Sequence, residues 1–418
     1  MTSIMDGSQR TFLSFTASFI AVIKVAPLSG PFLVIYLCLP STIIMPPESV
    51  QYREFWHPAY ITFNDGILVL FVATDFLLGK LKLPNGFVVF FFTGLMVFFF
   101  SWIINEEDIS FRLALDMLAH WIRFLAAFAI LFSIKIRCSN SSAELYWILI
   151  SIGLCISSLF VANLQYERLH RIWAAGMTVA SFSQFLAATV LIMMVRKRFF
   201  MVLIFSVFLL FSVSRTSIIA LLVAVFVFNL LDGREGMKII LQGLFLIVAI
   251  TLFGYYAYGF STVFARVIDS AFEPESVLTL NSRTIIWDYA QDLLLNKGVV
   301  SWNGIGLFGT PKLLGQLVSG EDGSQVRHFH NFFLEFIIGG GIFALPLILL
   351  PLYRAFISFL YGVRLAGCIY ILFLITQTID FTLYGTKSIL AWGIILGYAE
   401  SMIYLRLKTK NLMGRSYA

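Results

Sequence analysis

Arg196-Lys197-Arg198 is followed by an apolar run (199–211), the polar run Ser212-Val213-Ser214-Arg215-Thr216-Ser217, a second apolar run (218–231) and then Asp232-Gly233-Arg234. Basic residues in short loops mark the cytoplasmic side of membrane helices. Both ends of this stretch therefore read as cytoplasmic, and the chain between them must go out and come back. The reversal falls on the serine-rich run and places Arg215 on or below the outer surface. Backbone polar groups in lipid are satisfied only by helices or closed barrels. A barrel would alternate apolar and polar residues, whereas these legs are continuously apolar. The stretch thus reads as two short membrane helices and sets the class of the whole chain.

The composition agrees. The chain has 418 residues, 59% apolar and 12% charged, about half the charge of a soluble domain. The net charge of +6 is read as orienting the helices, not as a nucleic-acid surface. Cys38, Cys138, Cys155 and Cys368 are far apart in sequence and none lies in the long polar interval. That argues against a disulfide framework and a cysteine metal site. No small-residue cleavage pattern follows the polar start, so no cleaved signal peptide is expected.

Outward from the opening stretch, apolar runs predict spans at 29–45, 61–79, 84–104, 111–134, 145–163 and 172–195. They continue at 199–213, 216–231, 238–260, 329–352, 365–384 and 387–405. The expectation is an all-α polytopic membrane protein of about twelve transmembrane helices, with one large outer loop, 261–328, between the spans at 238–260 and 329–352. Residues 11–26, interrupted by Lys24, read as a helix lying at the interface, with a span as the alternative. Lys80 and Lys82, Lys135 and Arg137, Arg196–Arg198, Arg234 and Lys238, Arg354 and Arg364, and the tail Arg406, Lys408, Lys410 and Arg415 all fall on one side of this arrangement. Five regions follow: an N-terminal segment 1–28, helices 29–164, a core 165–352 containing the outer loop, helices 353–405, and a cytoplasmic tail 406–418.

Arg168, Arg171, Arg215, Arg283, His328 and His330 then share the outer face, against the usual bias of basic residues. An arginine near lipid costs a few kcal/mol and is by default a functional hypothesis. Its guanidinium suits bidentate contact with phosphate oxygens; the plain alternative for Arg215 is a snorkelling side chain. Arg171, at the head of a span in Arg171-Ile172-Trp173, reads equally as an interfacial anchor. Arg283 precedes an amphipathic segment. Ile285, Ile286, Tyr289, Leu293 and Leu294 fall at helical spacing with Asp288 and Asp292 opposite. Asn281 or Ser282 could cap that helix, and a helix N-terminus favours anions; a solvated surface arginine is the alternative. His330 sits where the loop re-enters the membrane, and histidine as a residue type is the commonest general base near neutral pH. A packed histidine is the alternative. His328, two residues away, would not share a helical face with it, and no third ligand is in view, so no metal site is expected.

A stripe of Arg112, Asp116, His120 and Arg123 lies on one face of the 111–134 span and reads as an internal ion-pair network, with a headgroup route as the alternative. Asp380 reads as a partner for one of the outer arginines.

Four features together resemble the bacterial O-antigen ligase and polysaccharide polymerase family of membrane glycosyltransferases. They are Arg171 with Gly176; Ser214-Arg215-Thr216-Ser217; Arg283 early in a large loop; and His330 with Gly341, similar to the family's histidine, ten residues, glycine pattern. The resemblance covers about 165–345. Trp287 stands four residues after Arg283, where some ligases have leucine. The resemblance implies transfer of a glycan from an undecaprenyl diphosphate carrier to an acceptor sugar at the periplasmic face of the bacterial inner membrane, without metal or other cofactor. The acceptor would be lipid A–core for a ligase, or a lipid-linked repeat for an O-antigen or exopolysaccharide polymerase. A polymerase would have a chain-length regulator as partner by analogy. Carried onto this chain, His330 would be the base, with Arg215 and Arg283 catalytic. Arg171, Arg215, Arg283, His328 and Trp287 would bind the diphosphate and glycan, and Tyr255, Tyr256, Tyr258 and Trp302 would offer further stacking surfaces. A transporter or flippase for lipid-linked oligosaccharide is the rival reading, and a membrane scaffold the third. A flippase has no obvious need for a long loop with arginines and histidines gathered on one face, and the two halves show no internal repeat.

Overall fold

A computed structural model describes residues 7–38, 63–84, 88, 92–97, 103, 111–169, 177–212, 214–232, 286–295, 304, 329–380, 382–383 and 386–416. All regular structure among these is helical. The helices are α1 (Gly7–Val25), α2 (Ser29–Cys38), α3 (Phe63–Leu77), α4 (Phe111–Arg137), α5 (Asn140–Leu169), α6 (Val179–Val195), α7 (Phe199–Phe211) and α8 (Arg215–Asp232). Then come α9 (286–295), α10 (Phe332–Gly340), a 3-10 turn (Gly341–Ala344), α11 (Leu345–Leu360), α12 (Arg364–Ile379) and α13 (Thr386–Ser416).

Among the described residues, four helical stretches are long and apolar enough to cross a bilayer: Leu118–Arg137, Asn140–Phe160, Phe332–Leu360 and Lys387–Lys410. The bent pair α1 and α2, at 107°, would make a fifth. Val179–Val195, Phe199–Phe211, Arg215–Leu231 and Arg364–Ile379 are shorter apolar helices. Thirteen residues in α7 reach about 20 Å, against roughly 30 Å of hydrocarbon. The first leg of the opening stretch is therefore short, and at the reversal the Ser212 hydroxyl donates to the Leu209 carbonyl at 2.6 Å and the Ser214 hydroxyl to Ser217 at 3.0 Å. The expected span at 238–260 and nearly all of the loop 261–328 lie outside the described residues.

Several boundaries move. The helix predicted at 145–163 runs from 140 to 169, so Gln165–Leu169, read as outer loop, is helical. The run predicted at 329–352 is broken at Gly341, where φ is 55° and ψ −141°, a region open essentially to glycine alone. The run predicted to 384 stops at Ile379. The tail read as 406–418 continues α13 to Ser416.

Tertiary contacts bring the basic connections together. Arg137 donates to the Gly79 carbonyl at 2.9 Å, and Arg198 meets Glu144 at 2.5 Å. Arg196 donates to the Tyr398 hydroxyl at 3.3 Å, and Lys135 lies 5.3 Å above the Tyr398 ring. Arg406 donates to the Tyr361 carbonyl at 3.3 Å. The opposite end of the bundle carries the starts of α6, α8, α10 and α13 and the end of α12. The long helices α4 and α13 lie side by side because Gly393-Ile394-Ile395-Leu396-Gly397 presents bare backbone. A Cβ on either glycine would stand 2.6 Å from a carbonyl oxygen, of Phe124 or of Phe128. Small residues four apart allow this approach in membrane bundles.

Candidate active site

His330 is held between two anchored residues. On one side, the Phe329 N–H donates to the buried Glu335 carboxylate at 3.0 Å, and the Phe329 carbonyl accepts the Trp287 indole N–H at 2.8 Å. The Phe329 ring is wholly buried with Ile286, Ala290, Leu293 and Ile338. On the other side, Asn331 caps α10, its Oδ1 accepting from the N–H groups of Phe333 at 2.9 Å and Leu334 at 3.2 Å. With both neighbours fixed, His330 takes φ of +53°. The left-handed region costs a non-glycine residue roughly 1–2 kcal/mol, and such strain persists only where the surroundings over-determine it.

The spacing from His330 to Gly341 now has a physical meaning. Asn331 starts α10 and Gly341 ends it, so the interval is one capped helix of nine residues. Loop segments dock on both of its ends. Near the start is α9, the amphipathic helix expected from Ile285 onward. Ile286, Ala290 and Leu293 are its buried stripe, and Asp288 and Gln291 face outward. Near the far end is Gly304, with φ of +66°. A Cβ there would lie 2.6 Å from the Ile338 carbonyl oxygen and 2.7 Å from the Gly341 nitrogen. Gly304 thus meets the glycines that end α10.

Among the described residues, Asp380 is the acidic group that faces the His330 ring. Its Oδ1 is 4.0 Å from His330 Nδ1, with the two side chains 19% and 24% exposed. The sequence reading made Asp380 a partner for an outer arginine, of which Arg171 and Arg283 lie outside the described residues; the structure sets it beside the histidine. α12 ends one residue earlier, and its break is what aims Asp380 outward. Asp380 has φ −145° and ψ 77°, while its N–H still bonds the Thr376 carbonyl at 2.8 Å. Its own carbonyl accepts the Gln184 side-chain amide of α6 at 3.1 Å. The Gln184 oxygen in turn accepts from Thr382 Oγ1 at 2.7 Å, Gln377 Nε2 at 2.9 Å and Trp392 Nε1 at 3.1 Å.

Arg215 opens α8 and is exposed. Its helix is fastened to α6 through hydroxyls. Ser217 meets Ser183 at 2.8 Å and accepts from Ser214 at 3.0 Å. Consecutive α6 residues therefore reach the two candidates: Ser183 toward the Arg215 turn, Gln184 toward Asp380. Further hydroxyl bonds tie Ser181 of α6 to Ser388 of α13. Arg171, Arg283 and His328 lie outside the described residues, as do Tyr255, Tyr256, Tyr258 and Trp302. Arg168 is helical in α5. Trp287, read as a stacking surface, also secures the backbone next to His330.

The stripe on α4 resolves into a separate cluster. Arg123, 1% exposed, pairs with Asp65 of α3 through Nε at 2.6 Å and Nη2 at 2.5 Å. His120 Nδ1 lies 3.2 Å from Arg123 Nη1, and the Tyr36 hydroxyl donates to Asp65 at 2.7 Å. Of the expected stripe, Arg123 and His120 are joined to Asp65; the side chains of Arg112 and Asp116 lie outside what is described. The Asp65 pairing had no local sequence signal, since the partners are 58 residues apart. Gln184 did leave one, as an amide beside Ser181 and Ser183 within the span read at 172–195.

Residues 199–349 match the O-antigen ligase family. The matched region holds Arg215, Arg283, Trp287, His328, His330 and Gly341; Arg171, Gln184 and Asp380 lie outside it. No curated protein matches the chain.

Proposed function

We propose, for a chain whose residues 199–349 support the O-antigen ligase and polymerase family, that it is an inverting, metal-independent glycosyltransferase drawing on an undecaprenyl diphosphate-linked glycan. The site would face the periplasm from the bacterial inner membrane. The observation that carries this reading is the strained, doubly anchored His330 beside Asp380. A carboxylate facing Nδ1 orients an imidazole and stabilises its protonated form, which leaves Nε2 to act. The acceptor hydroxyl oxygen attacks the anomeric carbon and its proton passes to Nε2. The anomeric carbon–oxygen bond to the diphosphate breaks, and the electron pair leaves with the lipid diphosphate. In-line displacement inverts the anomeric centre. Arg215, with Arg283 and Arg171, would stabilise the departing diphosphate as charge develops. His328 and the Trp287 face would contact donor phosphate or sugar.

The test is a transfer assay with purified protein, an undecaprenyl diphosphate-linked glycan and a chelator. Lipid A–core and a second lipid-linked repeat are offered separately. Product on the lipid core identifies a ligase, and a ladder of lengthening lipid-linked chains identifies a polymerase. No product with either, but movement of the donor across a vesicle membrane, would replace the enzyme with a flippase.

A further inference from the structure

We infer that Gln184, through its buried network with Gln377, Thr382 and Trp392, is the positioning residue that holds Asp380 against His330 and so sets the geometry of proton transfer. The inference rests on the reading of His330 as the base.

The chain at 377–382 reverses over the last turn of α12. The Thr382 N–H donates to Gln377 Oε1 at 3.0 Å, and Gln377 Nε2 donates back to Thr382 Oγ1 at 3.0 Å. Asp380 lies between these two bonded residues. A helix end leaves its last carbonyls without intrahelical partners. Here the Asp380 carbonyl receives the amide of Gln184 from a different helix. Gln184, Gln377 and Thr376 are buried with essentially no exposure, so no water is at hand to replace a lost bond. Gln184 has its amide on Asp380 and its oxygen on three donors from α12, α13 and the intervening turn. This fixes the side chain rigidly, and with it the backbone carrying the Asp380 carboxylate. Two carboxylates among the described residues lie near the histidine segment. Glu335 of α10 is occupied by the Phe329 N–H, whereas Asp380 faces the His330 ring. Only the latter is placed by Gln184. The lysine at the head of α13, Lys387, donates to the Leu37 carbonyl at 3.3 Å. Moving a supporting residue by about 1 Å is enough to cost on the order of 10²-fold in rate.

The experiment uses purified full-length protein with an undecaprenyl diphosphate-linked glycan. It compares Gln184→Leu, Asp380→Asn, the double variant and Thr382→Val. Thr382→Val removes one hydroxyl and conserves shape, so it carries the test if Gln184→Leu does not fold. Wild-type-like elution and melting are required of each variant. Gln184→Leu and Asp380→Asn should each lower kcat, on the order of 10²-fold, with donor KM little changed. The double variant should be no worse than the poorer single, and Thr382→Val should fall the same way by less. A readout free of turnover is the His330 ring signal in a histidine-labelled sample, assigned by its loss in His330→Ala. Both Gln184→Leu and Asp380→Asn should displace that signal. Multiplying losses in the double variant, an effect on KM alone, or an unmoved ring signal would overturn the inference. Retained transfer in His330→Ala would instead remove the base assignment and leave the ring-signal result to judge the network alone.

Discussion

Two of the acid–base pairs among the described residues, Asp65 with Arg123 and Asp380 with His330, are built in opposite ways. Asp65 and Arg123 meet through two short bonds inside the bundle, with His120 and Tyr36 bonded to them and almost no exposure. His330 and Asp380 stand 4.0 Å apart at the end of the bundle, each about a fifth exposed, with the histidine on a left-handed backbone. The first pair is closed, with its charges answered by each other and their neighbours, and it gives a ligand nothing to do. The second pair is reachable and is kept in place by bonds to the residues around it. A buried, satisfied ion pair is a fixture of the fold. A strained, part-exposed pair supported from several helices is what a reacting group requires.

The contrast can be broken at either pair. The largest change is expected from His330→Ala. Glycan transfer should fall by about 10²–10⁴-fold, the range supplied by a general base, while the protein stays membrane-inserted with an unchanged melting profile. Asp65→Ala should do the reverse. Removing one partner of a buried pair costs about 3–5 kcal/mol, seen as loss of folded protein in detergent, with normal transfer per folded molecule. Gly341→Ala forces a side chain into a conformation that costs about 1–3 kcal/mol, and it disturbs the far end of α10. Thermal unfolding should register that cost, with a smaller loss of transfer. Asn331→Ala removes only the cap, at about 1 kcal/mol. A melting shift larger for Asn331→Ala than for Asp65→Ala would mean the mid-bundle pair is not a fixture.

Much of this was legible in the sequence where the signal is local. The helices on either side of Arg215 and the amphipathic α9 are periodicity or punctuation, and both are recovered. The continuation of α5 through Leu169 was missed because Gln165-Tyr166-Glu167-Arg168 is polar, and polarity marks the end of the apolar layer rather than the end of the helix. The break at Gly341 was missed because Ile342-Phe343-Ala344 keeps the run apolar while the backbone leaves the α-helix. What lay beyond reading were the partnerships: Asp65 with Arg123, Trp287 with Phe329, Gln184 with Asp380. Each joins elements distant in sequence, and only packing decides which of several suitable side chains meet.

The most direct test crosses the two carboxylates. Asp380→Asn and Asp65→Asn are the same chemical change at the open and the closed pair, so melting temperature and transfer rate per folded molecule are measured for both. Asp380→Asn should lose at least about tenfold in rate, as supporting partners of a site do, with melting unchanged. Asp65→Asn should melt lower and transfer normally once folded. If instead Asp65→Asn abolishes transfer at wild-type stability while Asp380→Asn remains active, the site lies inside the bundle and the assignment to His330 is wrong.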